Sequence, residues 1–205
     1  MSAFVLAPLL VAGFGMATQA GAVKAASQHP FYEMFGKALL TADVWLLFTT
    51  PLVLFLAFRF RRQVRVHSAL MLSTLVGLMP PMLSRLYAGF MPGMTVRGPD
   101  TLYRFEYCLY ASMATTVVAA LWLYARNRKD GWPWLLAAGI TIGCYALFMT
   151  LGQTSAWSAA VIPITDTPAW VAAKAGLVLG LAACLAGWYG TGTRRGALVE
   201  QPGAG

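Results

Sequence analysis

Acidic residues are scarce in this chain: 205 residues hold only 7 Asp and Glu, against 15 Lys and Arg. Histidine numbers 2 and cysteine 3. Each shortage excludes something. Cys108, Cys144 and Cys184 stand far apart, with no C-x-x-C and no metal-ligand spacing, so neither a disulfide framework nor a zinc site is encoded. They read as small packing residues inside apolar runs. No H-E-x-x-H, no G-x-S-x-G, no P-loop and no Gly-rich dinucleotide turn occurs, nor a His-rich cluster of the kind a di-iron membrane oxygenase needs. Charged residues make up only 11% of the chain, where a soluble domain carries roughly a quarter. A fold with one compact core in water is therefore excluded.

What is present is apolar length. The chain is 59% hydrophobic, and six runs, at about 3–23, 38–58, 67–90, 102–125, 132–152 and 168–190, approach or exceed the length of a spanning helix, roughly 20 residues at about 1.5 Å rise each. The breaks between them are short, which forces antiparallel neighbours. The expected fold is all-α, a polytopic transmembrane helical bundle forming one domain over 1–190, with a disordered cytoplasmic tail over 191–205. The first run also contains Ala20-Gly21-Ala22, which resembles a signal-peptide cleavage site, although no basic residue precedes Lys24. Residues 1–22 read as a retained span or as a signal peptide, giving six or five spans.

Every second break is basic. Arg59, Arg61, Arg62 and Arg65 follow the second run, Arg126, Arg128 and Lys129 the fourth, and Arg194 and Arg195 the sixth, whereas the other breaks hold only Lys24, Lys37 and Arg97. Cytoplasmic loops collect Lys and Arg, so the pattern predicts a bacterial-type inner membrane protein with its C-terminus in the cytoplasm. The net charge of +8 is explained by these loops and points to membrane lipids as partners, not to nucleic acid.

Five ionisable residues fall within the runs: Asp43, Arg85, Arg104, Glu106 and Lys174. At about 1.5 Å per residue, four of them, all but the shallower Arg104, lie roughly 6–9 Å below the outer surface. A charge in hydrocarbon costs several kcal/mol unless it is paired, hydrated or able to snorkel. The expectation is an outward-facing polar pocket in which Arg85 pairs with Glu106 or Asp43, with Tyr87, Tyr103, Tyr107 and Gln153 adding hydrogen bonds and Lys174 nearby. One cation in excess suits an anionic or carbonyl-bearing ligand. The competing reading is a structural charge layer, with Arg104 and Lys174 snorkelling to water.

Small residues recur every four positions at Ala172, Gly176, Gly180 and Cys184 in the sixth run, and at Gly139 and Gly143 in the fifth. Such stripes let helices approach closely. They read either as packing of the fifth span on the sixth or as a surface for other membrane subunits or a homo-oligomer. Pro80-Pro81 predicts a kink in the third run, and Pro51 reads the same way in the second.

His29 and His67 lie on opposite sides of the predicted membrane, about one bilayer thickness apart, and so do not jointly hold a haem. His67 and Met71 share a helix face, but no third ligand for copper is visible. No cofactor is assigned, and haem or quinone stays a minor alternative. Arg65, His67, Met71, Leu72 and the run on to Arg85 resemble an element of small uncharacterised bacterial multi-pass inner-membrane proteins, in which an Arg-rich inner loop leads into a helix opening His-x-x-x-Met-Leu. Asp43 and Trp45 in the second run and Trp157 in the last outer loop are similarly placed. The resemblance implies fold and location, and no activity or site residue. The function that fits these readings is a non-enzymatic accessory, assembly or ligand-binding component. The rivals are a small transporter using the buried charges, and a membrane enzyme or redox subunit acting on a lipid, quinone or haem.

Overall fold

The computed structural model describes residues 2–190, so the tail over 191–205, with Arg194 and Arg195, lies outside the described residues. The described residues contain eight α-helices and no strand: α1 (Ser2–Ala25), α2 (Pro30–Arg59), α3 (Val64–Val76), α4 (Met79–Phe90), α5 (Arg104–Arg126), α6 (Trp132–Met149), α7 (Ser155–Thr165) and α8 (Ala169–Tyr189). Five of them are long and apolar enough to cross a membrane, and α3 with α4 makes a sixth if the pair is one bent span. Large apolar side chains such as Phe48, Val118, Ile142 and Val178 point outward. That is the inverse of a water-soluble surface and the expected face toward lipid.

α2 is the longest helix and begins at Pro30, well before the predicted 38. Its start is built from local chemistry. The Phe31 N–H donates to His29 Nδ1, Pro30 takes the first helical position and Glu33 sits in the first turn. Proline there needs no N–H, and the acid complements the helix dipole. Pro51 lies inside α2 without ending it.

The third span breaks as its prolines require, but one turn earlier than they stand. α3 ends at Val76, α4 starts at Met79, and the two are bent by 41°. A proline ring clashes with the carbonyl four residues before it. For Pro80 and Pro81 those carbonyls belong to Val76 and Gly77, so the helix parts at Gly77–Leu78 and the prolines settle into the first turn of α4.

α2 is shared by two packed groups. On one side α1, α2 and α8 form a three-helix unit, and on the other α3 and α6 lie on α2, with α5 bridging α4 and α6. The stripe on α8 is packed on α1, where the sequence pointed to the fifth span. Gly176 and Gly180 are buried against α1, and a Cβ on Gly180 would stand 2.8 Å from Pro8 Cα. Gly143 lies under the Trp45 ring, whose Nε1 donates to the Ile140 carbonyl at 2.9 Å, while Gly139 faces open space. α7 is a short apolar helix within the predicted last loop; Thr154 caps it by accepting from the Trp157 N–H.

The Arg-rich end is tied together. Arg59 donates to the Gly190 carbonyl. Arg61 donates to the Trp188 carbonyl at 2.7 Å and lies 3.9 Å from that indole ring. Arg65 pairs with Asp130 at 3.7 Å, and His67 Nδ1 lies 2.7 Å from the Ala57 carbonyl. The ends of α2 and α8 therefore meet at one level with the starts of α3 and α6.

Candidate functional site

One cavity of about 490 Å³ lies between α1, α2, α4, α5 and α6, within the size range of small-molecule sites, about 300–1,000 Å³. It runs along α2 from Phe31 to Leu46, roughly 22 Å at the rise of an α-helix. Phe31, Phe105, Phe148, Leu109 and Met113 make one wall apolar. Phe105, Leu109 and Met113 recur at four-residue intervals and so present one face of α5 to the cavity. Three charged side chains interrupt this lining: Lys24 of α1, Asp43 of α2 and Arg85 of α4.

Asp43 is the centre of that group. Its carboxylate lies against α1 at Gly21, where an added Cβ would come within 2.8 Å of Oδ2. Glycine leaves room for this approach, and a larger residue would turn the carboxylate aside. Both Lys24 and Arg85 act on Asp43 through their charge. Arg85 donates to its own helix at the Pro81 carbonyl, 2.6 Å away, and Lys24 Nζ stands 5.8 Å from the Tyr32 ring. Neither cation is within ion-pair distance of Asp43; the one ion pair among the described residues joins Arg65 and Asp130. Two cations thus share a single carboxyl group, and the sum is positive whether or not Asp43 holds a proton. Ser84, Thr141 and Cys144 add smaller polar groups to the lining. Among the described residues no group of His, Cys, Asp and Glu is placed to hold a metal ion.

Of the eight sequence-selected residues, the structure brings Asp43 and Arg85 to this cavity; Tyr87, Tyr103, Glu106, Tyr107, Gln153 and Lys174 lie outside its lining. Each has another setting. Tyr87 OH meets Thr115 Oγ1 at 3.0 Å and fastens α4 to α5. Glu106 accepts from Tyr110 OH one turn along α5, so it is not the partner of Arg85. The reason is helical phase. Phe105 faces the cavity, and the next residue is turned by about 100° around the axis. Tyr103 and Tyr107 are exposed beside each other, ring centroids 6.4 Å apart, with Arg104 Cζ 5.8 Å from the Tyr103 ring. Gln153 is exposed in a 3-10 turn, Leu151–Gln153, whose Gly152 packs on α2. Lys174 lies 4.7 Å from the Trp170 ring on the exposed side of α8, the arrangement of a cation leaning along apolar surface.

Lys24 is the residue that sequence reasoning left in a loop. Extending the first helix to Ala25 puts Gly21 and Lys24 three residues apart on one face. Asp43 also lies deeper along its own helix than expected, because α2 starts at Pro30: thirteen residues on, roughly 20 Å from the helix start.

Compared with protein-family models, curated proteins and solved structures, the chain finds no match.

Proposed function

We propose that this chain is a membrane component that binds a small molecule in the cavity between α1, α2, α4, α5 and α6, and that it does so without catalysing a reaction. One observation carries the reading: a cavity of about 490 Å³ with apolar walls holds two cations and one acid, and nothing else charged. Ionisable groups at membrane depth are expensive and mark sites of function. An apolar pocket with a few convergent polar groups is the usual form of a small-molecule site.

The Arg-rich end, with Arg61, Arg62, Arg65, Arg126, Arg128 and Lys129, belongs in the cytoplasm of a bacterial-type plasma membrane by the positive-inside rule. On that orientation the cavity lies in the outer half of the bundle. Mass spectrometry of the gently solubilised protein tests the binding reading. A non-covalent adduct retained by the wild type and lost from Lys24→Gln/Arg85→Gln is expected; a bare polypeptide mass in every mild condition, or an adduct indifferent to both substitutions, removes the cavity from the function.

A transport reading has one observation in its favour, the helix break at Gly77–Leu78 on the cavity wall. It requires flux through proteoliposomes that Arg85→Ala abolishes.

A further inference from the structure

The walls of the cavity are not equally closed. α1 packs against α2, α8 and α7, whereas α4 packs mainly against α5; α1 and α4 have at most a marginal contact. Yet both line the cavity, α1 through Ala17, Ala20, Gly21 and Lys24, and α4 through Pro80, Pro81, Ser84 and Arg85. Ala17, Ala20, Lys24 and Arg85 are exposed while they line it. The opening therefore runs between two helices along the side of the bundle, where the surface is otherwise apolar. The two cations stand on its opposite lips, and Phe31, Phe105 and Phe148 give the cavity an aromatic wall from α2, α5 and α6.

We infer that this gap is a lateral portal to the lipid, and that the cavity takes a long-chain monocarboxylate dissolved in the bilayer, its head between Lys24 and Arg85 and its chain against the Phe31, Phe105 and Phe148 wall. The inference rests on the binding reading above and specifies its ligand. Three features select this chemistry. The excess positive charge answers an anionic head. Two donors on facing helices suit the two oxygens of one carboxylate, with Arg able to present paired N–H groups. The elongated cavity, roughly 22 Å along α2, suits a chain better than a compact ion. Asp43 opposes an anion at this place, and its presence limits the site to a single negative charge.

The test uses the full-length protein in nanodiscs of a neutral phosphatidylcholine. The probe is dodecanoate with a photoreactive diazirine at the chain end, and labelled peptides are mapped by mass spectrometry. Labelling of the α5 and α6 peptides that contain Leu109, Met113 and Phe148 is expected. Unlabelled dodecanoate should compete at least tenfold better than dodecanol, and at least tenfold better than hexanoate, which has the same head but stays in water. Lys24→Gln/Arg85→Gln should erase the advantage over dodecanol, and Asp43→Asn should increase it. Ala20→Trp, at the lip of the gap, should lower labelling with the thermal transition unchanged. Cavity labelling with equal competition by dodecanol overturns the carboxylate and leaves the binding reading standing. Equal competition by hexanoate overturns entry from lipid. No labelling of cavity peptides overturns the fatty carboxylate, and the binding reading falls with it only if mild mass spectrometry also shows no adduct.

Discussion

The Asp43 carboxylate occupies the space that a side chain at position 21 would enter. A Cβ there would stand 2.8 Å from its Oδ2, and Gly21 lines the cavity, so Gly21→Val is expected to reduce probe labelling by filling cavity volume, without unfolding the bundle. Labelling equal to wild type would show that position 21 does not bound the occupied part of the cavity. Trp45 makes a different kind of contact. Its indole covers Gly143 and its Nε1 donates to the Ile140 carbonyl, which fastens α2 to α6. Trp45→Phe keeps an aromatic ring but removes the donor and the indole edge that covers Gly143. Such interhelical hydrogen bonds in membranes contribute on average about 0.6 kcal/mol and at most about 1.7, so a drop in thermal stability smaller than that of Trp45→Ala is expected in detergent. A loss as large as that of Trp45→Ala would mean that the ring contributes nothing.

At the scale of elements, the stripe on α8 is used by α1, whereas on α6 Gly143 takes the Trp45 ring and Gly139 is open. Gly180 is buried with Pro8 Cα 2.8 Å from where its Cβ would be, whereas Gly139 has nothing within 4 Å. Gly180→Leu forces α1 from α8, and overpacking of this kind costs about 1–3 kcal/mol. Gly139→Leu should leave stability unchanged. Thermal aggregation of the two variants side by side checks this, and equal behaviour would contradict the packing of α8 on α1. The broken third span follows the same logic. Pro80 and Pro81 bar the carbonyls of Val76 and Gly77 from a regular helix, so Pro80→Ala/Pro81→Ala should let α3 run on into α4. Spin labels at Ser68 and Gly89 should then move apart; an unchanged distance would assign the bend to tertiary packing instead.

For the whole molecule, alternate helix ends collect either clusters of basic residues or single ones. Arg62 and Arg128 lie at the Arg-rich end, and Ser27 and Thr95 lie in the connections at the other end. Single cysteines at Ser27 and Thr95, in a chain with Cys108, Cys144 and Cys184 replaced, should react with an impermeant maleimide on intact cells. Those at Arg62 and Arg128 should react only after lysis. The reverse pattern would invert the orientation and move the cavity to the cytoplasmic half.

The amino-acid order by itself determined that the chain is a helical bundle built for a membrane, because apolar runs of spanning length and scarce charge leave no other way to satisfy the backbone. It also marked the third span for a break, since a proline pair acts on the carbonyls of its own helix. Asp43 and Arg85 were legible as costly charges in apolar runs, but Lys24 was not, because it stands at a helix end where a loop reads equally well. Only the tertiary structure decided which charges share a cavity. Glu106 and Tyr110 satisfy each other within α5, and Lys174 leans on Trp170 within α8, while Lys24, Asp43 and Arg85 line one cavity from three different helices. The physical reason is rotation. Depth along a span follows from counting residues, but the direction in which a side chain points depends on where its helix begins and which face its neighbours cover. Those are properties of the packed bundle.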